Sequence, residues 1–236
     1  MAEAMLEAEG LRAGYGPAEI LFGVSLRLAR GEVAALMGRN GAGKSTTLKA
    51  IMGLIPPRAG RVRFAGRDIA GQPPFRIARL GLGYVPEDRR IFTDLTVAEN
   101  LEVGRRLAEG GDAWTPERLF EVFPNLASMR HRRAAAMSGG EQQMLAIART
   151  LMGNPEAVLL DEPSEGLAPV ILELMADAVL RMKRAGIAVL LSEQNFDFAA
   201  AVADRAYVIE RGEIRYDGSM AALEADPTLR AQHLTI

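Results

Sequence analysis

The sequence predicts an α/β fold: a mostly parallel sheet with flanking helices, an N-terminal antiparallel β subdomain and a helical subdomain in the middle. Three observations predict it. Apolar strand patterns alternate with helical patterns in the second half, which is typical of a parallel sheet. Residues 6–64 contain short runs that alternate apolar and polar residues, the period of half-buried strands. Residues 88–151 have helical spacing punctuated by Pro116 and Pro124, with an exposed loop expected at 110–112.

The composition is that of an ordinary globular protein. The 236 residues are 49% hydrophobic and 25% charged, which excludes disordered and fibrous classes. The formal net charge of −2 supplies no global basic field, so no nucleic acid is expected as a partner. The absence of cysteine excludes disulfide scaffolds, zinc–thiolate sites and thiol catalysis. No uncharged run approaches a membrane span and the amino terminus lacks a secretory pattern, so we expect a cytoplasmic protein.

Local patterns predict the elements in order. The alternation at 24–28 favours an antiparallel strand, and the apolar run 33–37 favours a buried strand. A helix is expected over 44–52, closed by Gly53 at its C′ position.

Further strands are expected at 157–160 and 187–191, and a short strand followed by a helix at 214–236. The helix between the two strands is expected to bury one face. That face comprises Leu167, Val170, Ile171, Leu174, Met175, Ala178 and Met182.

The strongest single signal is a glycine-rich segment between the first buried strand and its helix. Residues 38–45 fit the pattern G-x-x-x-x-G-K-[ST] in the strand-to-helix context that the pattern requires. Its glycines let successive N–H groups point at an anion, and the helix adds its positive end. We therefore expect the core of a P-loop NTPase that binds ATP, rather than a glycine turn with an incidental lysine. The expected nucleotide contacts are Gly38, Arg39, Asn40, Gly41, Ala42, Gly43, Lys44, Ser45 and Thr46, with Lys44 at the β- and γ-phosphates and Ser45 on Mg²⁺.

Two carboxylates end the strand pattern at 157–160. Asp161 is expected to hold Mg²⁺, and Glu162 to polarise the attacking water as general base. The alternative is a solvent-exposed acidic pair at a strand end. The preceding glycine-rich loop favours the catalytic interpretation.

A second anion-binding helix end is predicted between these segments. Ser138 can cap the helix that follows, while Gly139 and Gly140 leave backbone N–H groups open. Glu141 completes a capping box, which is compatible with the same role. In spacing and order this segment resembles the signature sequence of ATP-binding-cassette (ABC) ATPases, and the resemblance extends over nearly all of the chain. It implies that Ser138, Gly139, Gly140 and Glu141 contact ATP in trans, across a head-to-tail dimer.

Within that family the chain is most similar to the second ATPase subunit of branched-chain amino acid uptake transporters. Four positions carry this narrower resemblance: Glu87 at a usual glutamine, Glu141 in the signature, Ala168 at a usual aspartate, and Gln194 at the usual switch histidine. The resemblance implies that Gln194 contributes to catalysis at the γ-phosphate. An amide does not titrate near neutrality, so proton-linked roles of that histidine do not transfer.

The resemblance assigns two further positions. Glu87 would lie near Mg²⁺, where its charge would either strengthen ligation or repel the γ-phosphate. Tyr15 matches the residue on which the family stacks adenine. A turn tyrosine packed on its own core is the alternative.

The resemblance implies an ATPase that powers membrane import of a small solute, most specifically branched-chain amino acids, from a position on the inner face of the cell membrane. The alternatives are a urea or amide importer, a soluble clamp of the same superfamily, and a non-hydrolytic regulatory subunit. The implied cofactors are ATP and Mg²⁺. The implied partners are a second ATPase subunit or a second copy of the chain, permease subunits and, indirectly, a solute-binding protein. We expect one domain over 1–236, with a nucleotide-binding core at 1–87 and 152–236 and a helical subdomain at 88–151.

Overall fold

Two sheets organise the chain in the structure, a computed structural model that describes residues 4–106 and 113–234. The strands are β1 (Ala4–Tyr15), β2 (Ala18–Ala29), β3 (Val33–Met37), β4 (Ala59–Phe64), β5 (Arg67–Asp68), β6 (Leu82–Val85), β7 (Ala157–Asp161), β8 (Ala188–Glu193), β9 (Arg205–Glu210) and β10 (Glu213–Ser219). The helices are α1 (Lys44–Ile51), α2 (Pro74–Arg79), α3 (Val97–Gly104), α4 (Pro116–Val122), α5 (Pro124–Ser128), α6 (Gly139–Leu151), α7 (Pro169–Arg184), α8 (Phe196–Val202), α9 (Met220–Ala225) and α10 (Pro227–Leu234).

The first sheet has the strand order β2-β1-β4-β5 and is antiparallel throughout. Strand β2 shows the predicted alternation, because Val24, Leu26 and Leu28 are buried while Ser25 and Arg27 are exposed. This sheet is the N-terminal antiparallel subdomain expected from the sequence.

The second sheet has the order β10-β9-β3-β8-β7-β6, and its strands from β9 to β6 run parallel. Strand β10 pairs antiparallel with β9 at one edge. Met37 pairs with Glu193, and Asp161 with Ser192. The carboxyl ends of β3, β7 and β8 therefore meet at one edge of the sheet, where ligands of open α/β sheets bind.

Both faces of the second sheet are buried, as expected of a parallel sheet. Val33, Ala35 and Met37 enter a core shared with α3, α6, α7 and α8. Ala34 and Leu36 point to the other face and enter a core shared with α1 and the antiparallel sheet. The predicted α/β class with a mostly parallel sheet is confirmed.

Helices α3 to α6 occupy the stretch in which the sequence predicts helical spacing, and a short 3₁₀ turn precedes α6 at Ala134–Ala136. The loop expected at 110–112 lies outside the described residues. The division into a core and a helical subdomain at 88–151 stays a prediction.

Three details of the predicted elements were wrong. Val170 is 68% exposed, because at 3.6 residues per turn it lies about 100° around α7 from Ile171, away from the centre of the buried stripe. Leu167 precedes the helix, which begins at Pro169. The tail after β10 forms two helices, since Pro227 begins a new one after the break at Asp226.

Across residues 4–106 and 113–234, none of the helices has the length and apolar character needed to span a bilayer.

Candidate functional site

The glycine-rich loop between β3 and α1 is shaped by close backbone approaches. A Cβ atom at Gly38 would lie 2.5 Å from the carbonyl oxygen of Ile209, and one at Gly43 would lie 2.9 Å from Cδ2 of Leu21. Gly43 also has a φ of 113°, in the left-handed region. No side chain caps the N-terminus of α1. The first N–H groups of that helix are therefore open to an anion.

Lys44, the first residue of α1, is only 3% exposed. Its Nζ donates to the carbonyl oxygens of Gly38, at 2.8 Å, and Arg39, at 3.1 Å. The same atom lies 3.1 Å from Oε1 of Glu162. A buried ammonium needs such partners because it has lost its hydration. The sequence-predicted lysine and carboxylate are thus brought together.

Asp161 ends β7 and is 1% exposed. Its Oδ1 accepts a hydrogen bond of 2.7 Å from the Ser192 hydroxyl, and its Oδ2 accepts one of 3.1 Å from the Tyr84 hydroxyl. Burial, followed by the negative charge of Asp161, raises the pKa of Tyr84, so this hydroxyl remains a donor. Neither Ser192 nor Tyr84 was predicted from the sequence, since only the register of β6, β7 and β8 brings them together.

Glu162 has a φ of 47° although it is not glycine. Its backbone N–H donates to the carbonyl oxygen and the hydroxyl of Ser192, each at 3.1 Å. These bonds hold the residue in a sparsely populated conformation, which is typical of active sites.

Gln194 lies between the glycine-rich loop and Glu162. Its Nε2 donates to Oδ1 of Asn40 at 2.5 Å and to Oε2 of Glu162 at 3.3 Å. The side chain therefore connects the loop to the carboxylate through an amide that does not itself titrate.

Sequence reasoning missed Glu193, the last residue of β8, which is 2% exposed. Its carboxylate accepts hydrogen bonds from the N–H and hydroxyl of Ser164, at 3.0 and 2.8 Å, and from the N–H of Gln194 and Asn195. Burial raises the pKa of Glu193 to about 7, although these hydrogen bonds oppose the shift. The signal available in the sequence was that a charged residue ends an apolar strand pattern.

A cavity of about 400 Å³ opens over the loop, within the usual range for small-molecule sites. Its lining residues are Tyr15, Ile20, Asn40, Gly41, Gly43, Lys44, Ser45, Thr46, Glu87, Glu162 and Glu165. Tyr15 is 50% exposed at this cavity, so its ring is not packed in the core. Burial, followed by the charges of Glu162 and Glu87, raises the pKa of Glu165. Three carboxylates facing one cavity suit a ligand that brings a cation.

No group of three or more His, Asp or Glu side chains in residues 4–106 and 113–234 could hold a metal ion by itself. Mg²⁺ characteristically uses one or two protein oxygens and completes its shell with substrate phosphates and water. Ser45 and Glu87 offer oxygen atoms at this cavity to Mg²⁺ that arrives with a nucleotide, whereas Asp161 is 1% exposed and is not among the residues that line it.

The signature segment begins α6 with the predicted capping box. Oε2 of Glu141 accepts from the N–H of Ser138 at 2.7 Å, and the Ser138 hydroxyl accepts from the N–H of Glu141 at 3.4 Å. A Cβ at Gly140 would lie 2.8 Å from Cγ2 of Ile171, and one at Gly139 would lie 2.9 Å from Nη1 of Arg89. Within the described part of the chain, residues 138–141 are not among the residues that line the nucleotide-sized cavity.

A second, more apolar cleft of about 430 Å³ lies beside the edge strand β6. Its lining includes the exposed apolar side chains of Leu54, Phe92 and Val103 together with Arg90 and Arg149. The full set of lining residues is Met52, Leu54, Pro74, Ala78, Leu82, Gly83, Tyr84, Pro86, Arg90, Phe92, Val103, Gly104, Arg106, Arg149, Thr150, Gly153 and Pro155.

Comparisons with known proteins assign the chain to a family. Residues 21–165 match the family model described as ABC transporter. The chain is 42% identical to the high-affinity branched-chain amino acid transport ATP-binding protein BraG of Pseudomonas aeruginosa, over 98% of this chain and 99% of that protein. It is 32% identical to the lipopolysaccharide export system ATP-binding protein LptB of Haemophilus influenzae, over 98% of this chain and 97% of that protein. The crystal structure of the ADP conformation of an ATP-binding cassette of an ABC transporter superposes with a TM-score of 0.81 at 29% identity, over 97% of both chains. The chain therefore belongs to the ABC transporter family, as an ATP-binding and ATP-hydrolysing subunit.

Proposed function

We propose that this chain hydrolyses ATP to power the uptake of branched-chain amino acids. The observation that carries the proposal is its 42% identity to BraG over 98% of this chain. The four positions that separate the amino acid uptake ATPases from the wider family, among them Glu87 and Gln194, point the same way.

In this proposal the glycine-rich loop and the start of α1 hold the phosphates. The open N–H groups of α1 and the ammonium of Lys44 balance the negative charge of ATP. Lys44 has Glu162 as its partner at 3.1 Å, and the phosphates would compete for that ammonium. Glu162 then has a free oxygen for a water molecule, from which it accepts the proton as general base.

Ser45 and Asp161 would hold Mg²⁺, with Glu87 as the third expected metal contact. When bound, Mg²⁺ neutralises charge that develops on the phosphates. Gln194 positions Glu162, since its amide donates to both Asn40 and Oε2 of Glu162. Tyr15, half exposed at the mouth of the cavity, would stack on the adenine.

The complete site requires a second ATPase chain. Ser138, Gly139 and Gly140, at the capped start of α6, are not among the residues that line the cavity of their own chain. Their open N–H groups would bind the phosphates of a nucleotide held by a partner. The partner is a related ATPase subunit or, in the alternative, a second copy.

Permease subunits are the other proposed partners. The apolar cleft beside β6 offers Leu54, Phe92 and Val103, which are 44–56% exposed. If permease subunits bind at this cleft, the chain would lie on the inner face of the membrane.

The test uses the organism from which the chain comes. Deletion of the coding sequence should abolish uptake of radiolabelled leucine, and wild type but not E162Q should restore it. The deletion strain could instead take up leucine at the wild-type rate and lose uptake of urea or amides. That result would assign the chain to a urea or amide importer. If only non-membrane proteins co-purify with the chain from solubilised membranes, the result would favour a soluble clamp of the same superfamily.

A second candidate function is lipopolysaccharide export, which the 32% identity to LptB over 98% of this chain favours. The same deletion strain distinguishes it, because loss of export would leave lipopolysaccharide at the inner membrane while leucine uptake continued.

A further inference from the structure

Glu193 contacts three chain segments, at the carboxyl ends of β3, β7 and β8. Its main-chain carbonyl oxygen accepts from the N–H of Gly38, the first residue of the glycine-rich loop, at 3.3 Å. Its carboxylate accepts from the N–H and hydroxyl of Ser164, two positions after Glu162, and from the N–H of Gln194. One buried residue therefore joins the loop, the segment that carries the expected general base and the segment that carries Gln194.

Hydrogen bonds, rather than packing, hold Gln194 in place, since this residue is exposed just after β8. Its amide joins Asn40 and Glu162, which both line the cavity over the loop. Its main-chain N–H donates to Oε2 of Glu193 at 3.2 Å, and the N–H of Asn195 donates to the same oxygen at 3.3 Å. The contact of 3.3 Å with Glu162 is close to the limit of a hydrogen bond, so a shift of roughly half an ångström in this main chain would break it.

The Glu193 carboxylate also holds the chain that follows Glu162. Ser164 is 6% exposed, and it donates to Oε1 of Glu193 at 3.0 Å and to Oε2 at 2.8 Å. Glu162, with its φ of 47°, donates its own N–H to Ser192, the residue before Glu193. Two consecutive residues of β8 therefore hold the strained main chain at and after Glu162.

The position of Glu193 is a costly one for a carboxylate. The side chain is 2% exposed, and burying an ionised group is unfavourable unless its partners compensate. Its hydrogen-bond donors are neutral N–H groups and one hydroxyl. Burial, and to a smaller extent the charge of Glu162, raises the pKa of Glu193 to about 7. Carboxyl groups perturbed in this way are concentrated at functional sites.

We propose that Glu193 is a positioning residue for ATP hydrolysis, which holds the Gln194 amide against Glu162 by binding the main chain at Gln194 and at Ser164. It acts through these residues, since it is not itself among the residues that line the cavity. Its bond to Gly38 is made by its main chain and survives a change of side chain, so the phosphate-binding loop should stay intact. The inference rests on the proposed role of Glu162 as general base.

The first test compares Glu193→Gln with wild type in the complex assembled with its partner subunits. An amide offers one oxygen, and its nitrogen accepts no hydrogen bond. We expect kcat to fall by about 10- to 100-fold while KM for ATP stays within about twofold, because a small misplacement slows the chemical step. The complex that carries Glu162→Gln supplies the background rate. The matched control is Tyr207→Phe, which loses buried hydrogen bonds with Arg27 and should keep kcat.

Ser164→Ala serves if the first variant fails to fold. It keeps the charge of Glu193 and removes one hydrogen bond of 2.8 Å. We expect kcat to fall by about threefold or more at unchanged KM.

The second test is a double-mutant cycle between Glu193→Gln and Gln194→Ala. If Glu193 acts by holding the Gln194 amide, adding Glu193→Gln to the Gln194→Ala variant should lower kcat by less than about twofold further. Losses that multiply in the double variant would contradict the proposal, because the two residues would then act independently.

Two further results would overturn the positioning role. One is a wild-type kcat in the Glu193→Gln complex. The other is a loss of kcat accompanied by an equal loss of ATP affinity, which would indicate general damage to the fold. A wild-type complex without ATP hydrolysis would instead contradict the proposed function, and full turnover with Glu162→Gln would contradict the general base, so these failures are distinguishable.

Discussion

The ammonium nitrogen of Lys44 lies 3.1 Å from Oε1 of Glu162, and both side chains are less than one-tenth exposed. The residue expected to bind phosphate and the residue expected to activate water therefore form a buried ion pair. Such a pair is costly to break from one side, because the remaining charge is left buried. A nucleotide that takes over Lys44 would release Glu162 for the water.

Glu162→Gln tests the general base. We expect ATP binding to persist and the rate of hydrolysis in the assembled complex to fall by about 10²- to 10⁴-fold, because an amide cannot accept the proton. Phosphate release measures the rate, and nucleotide titration measures binding. The control is Glu156→Gln, which removes an exposed carboxylate paired with Arg30. Turnover at the wild-type rate in the Glu162 variant would reject the role of that residue.

Lys44→Ala tests the phosphate contact. Loss of a charge-assisted hydrogen bond costs about 1.5–3 kcal/mol, so the dissociation constant for ATP should rise by about 10- to 150-fold. Lys49→Ala, on the last turn of the same helix, is the matched control and should keep its affinity. If both variants bind ATP equally well, the glycine-rich loop does not place Lys44 at the phosphates.

Local sequence patterns were sufficient to predict the glycine-rich loop and the ends of the elements beside it. Gly43, Lys44 and the capping box at Ser138 and Glu141 were predicted correctly in structure because each depends on residues within a few positions. The partners of Asp161 were not predictable in this way. Tyr84 is 77 positions away along the chain, and only the order of parallel strands brings its hydroxyl to the carboxylate.

Helix α7 shows how far a periodic apolar pattern predicts which residues are buried. Met175, Ala178 and Met182 are buried as predicted, since the stripe follows the helical period. Val170 is apolar and sits near that stripe, yet it faces outward. An apolar residue in a first turn does not by itself reveal whether the core or a partner covers it.

Tyr15→Ala tests the adenine contact. Base stacking on an aromatic ring contributes about 1–3 kcal/mol, so ATP affinity should fall by about 5- to 150-fold. Tyr15→Phe keeps the ring and should bind as wild type does. Because Tyr15 is 50% exposed, neither variant should lower the unfolding temperature appreciably. Equal affinities for the Ala and Phe variants would exclude stacking on this residue.

Glu193 makes stability depend on pH. Its pKa is raised from 4.5 in the unfolded chain to about 7 in the folded protein, so the folded state binds the proton more tightly. The stabilisation is complete below the unfolded pKa and is lost as pH rises through the folded one, a change on the order of 3 kcal/mol. The midpoint of urea unfolding should therefore fall between about pH 5 and about pH 8. The same measurement on Glu193→Gln, which cannot titrate, should show a smaller slope.

The difference in unfolding midpoint between wild type and Glu193→Gln separates the contribution of Glu193 from that of the other titrating groups. The amide cannot reproduce every hydrogen bond, because the carboxylate accepts from Ser164, Gln194 and Asn195 and an amide nitrogen accepts none. Those hydrogen bonds belong to the ionised form, so the two curves should lie closest at low pH, where both side chains are neutral, and separate as pH rises. Parallel curves across this range would show that Glu193 titrates at its ordinary pKa, and that its hydrogen bonds outweigh its burial.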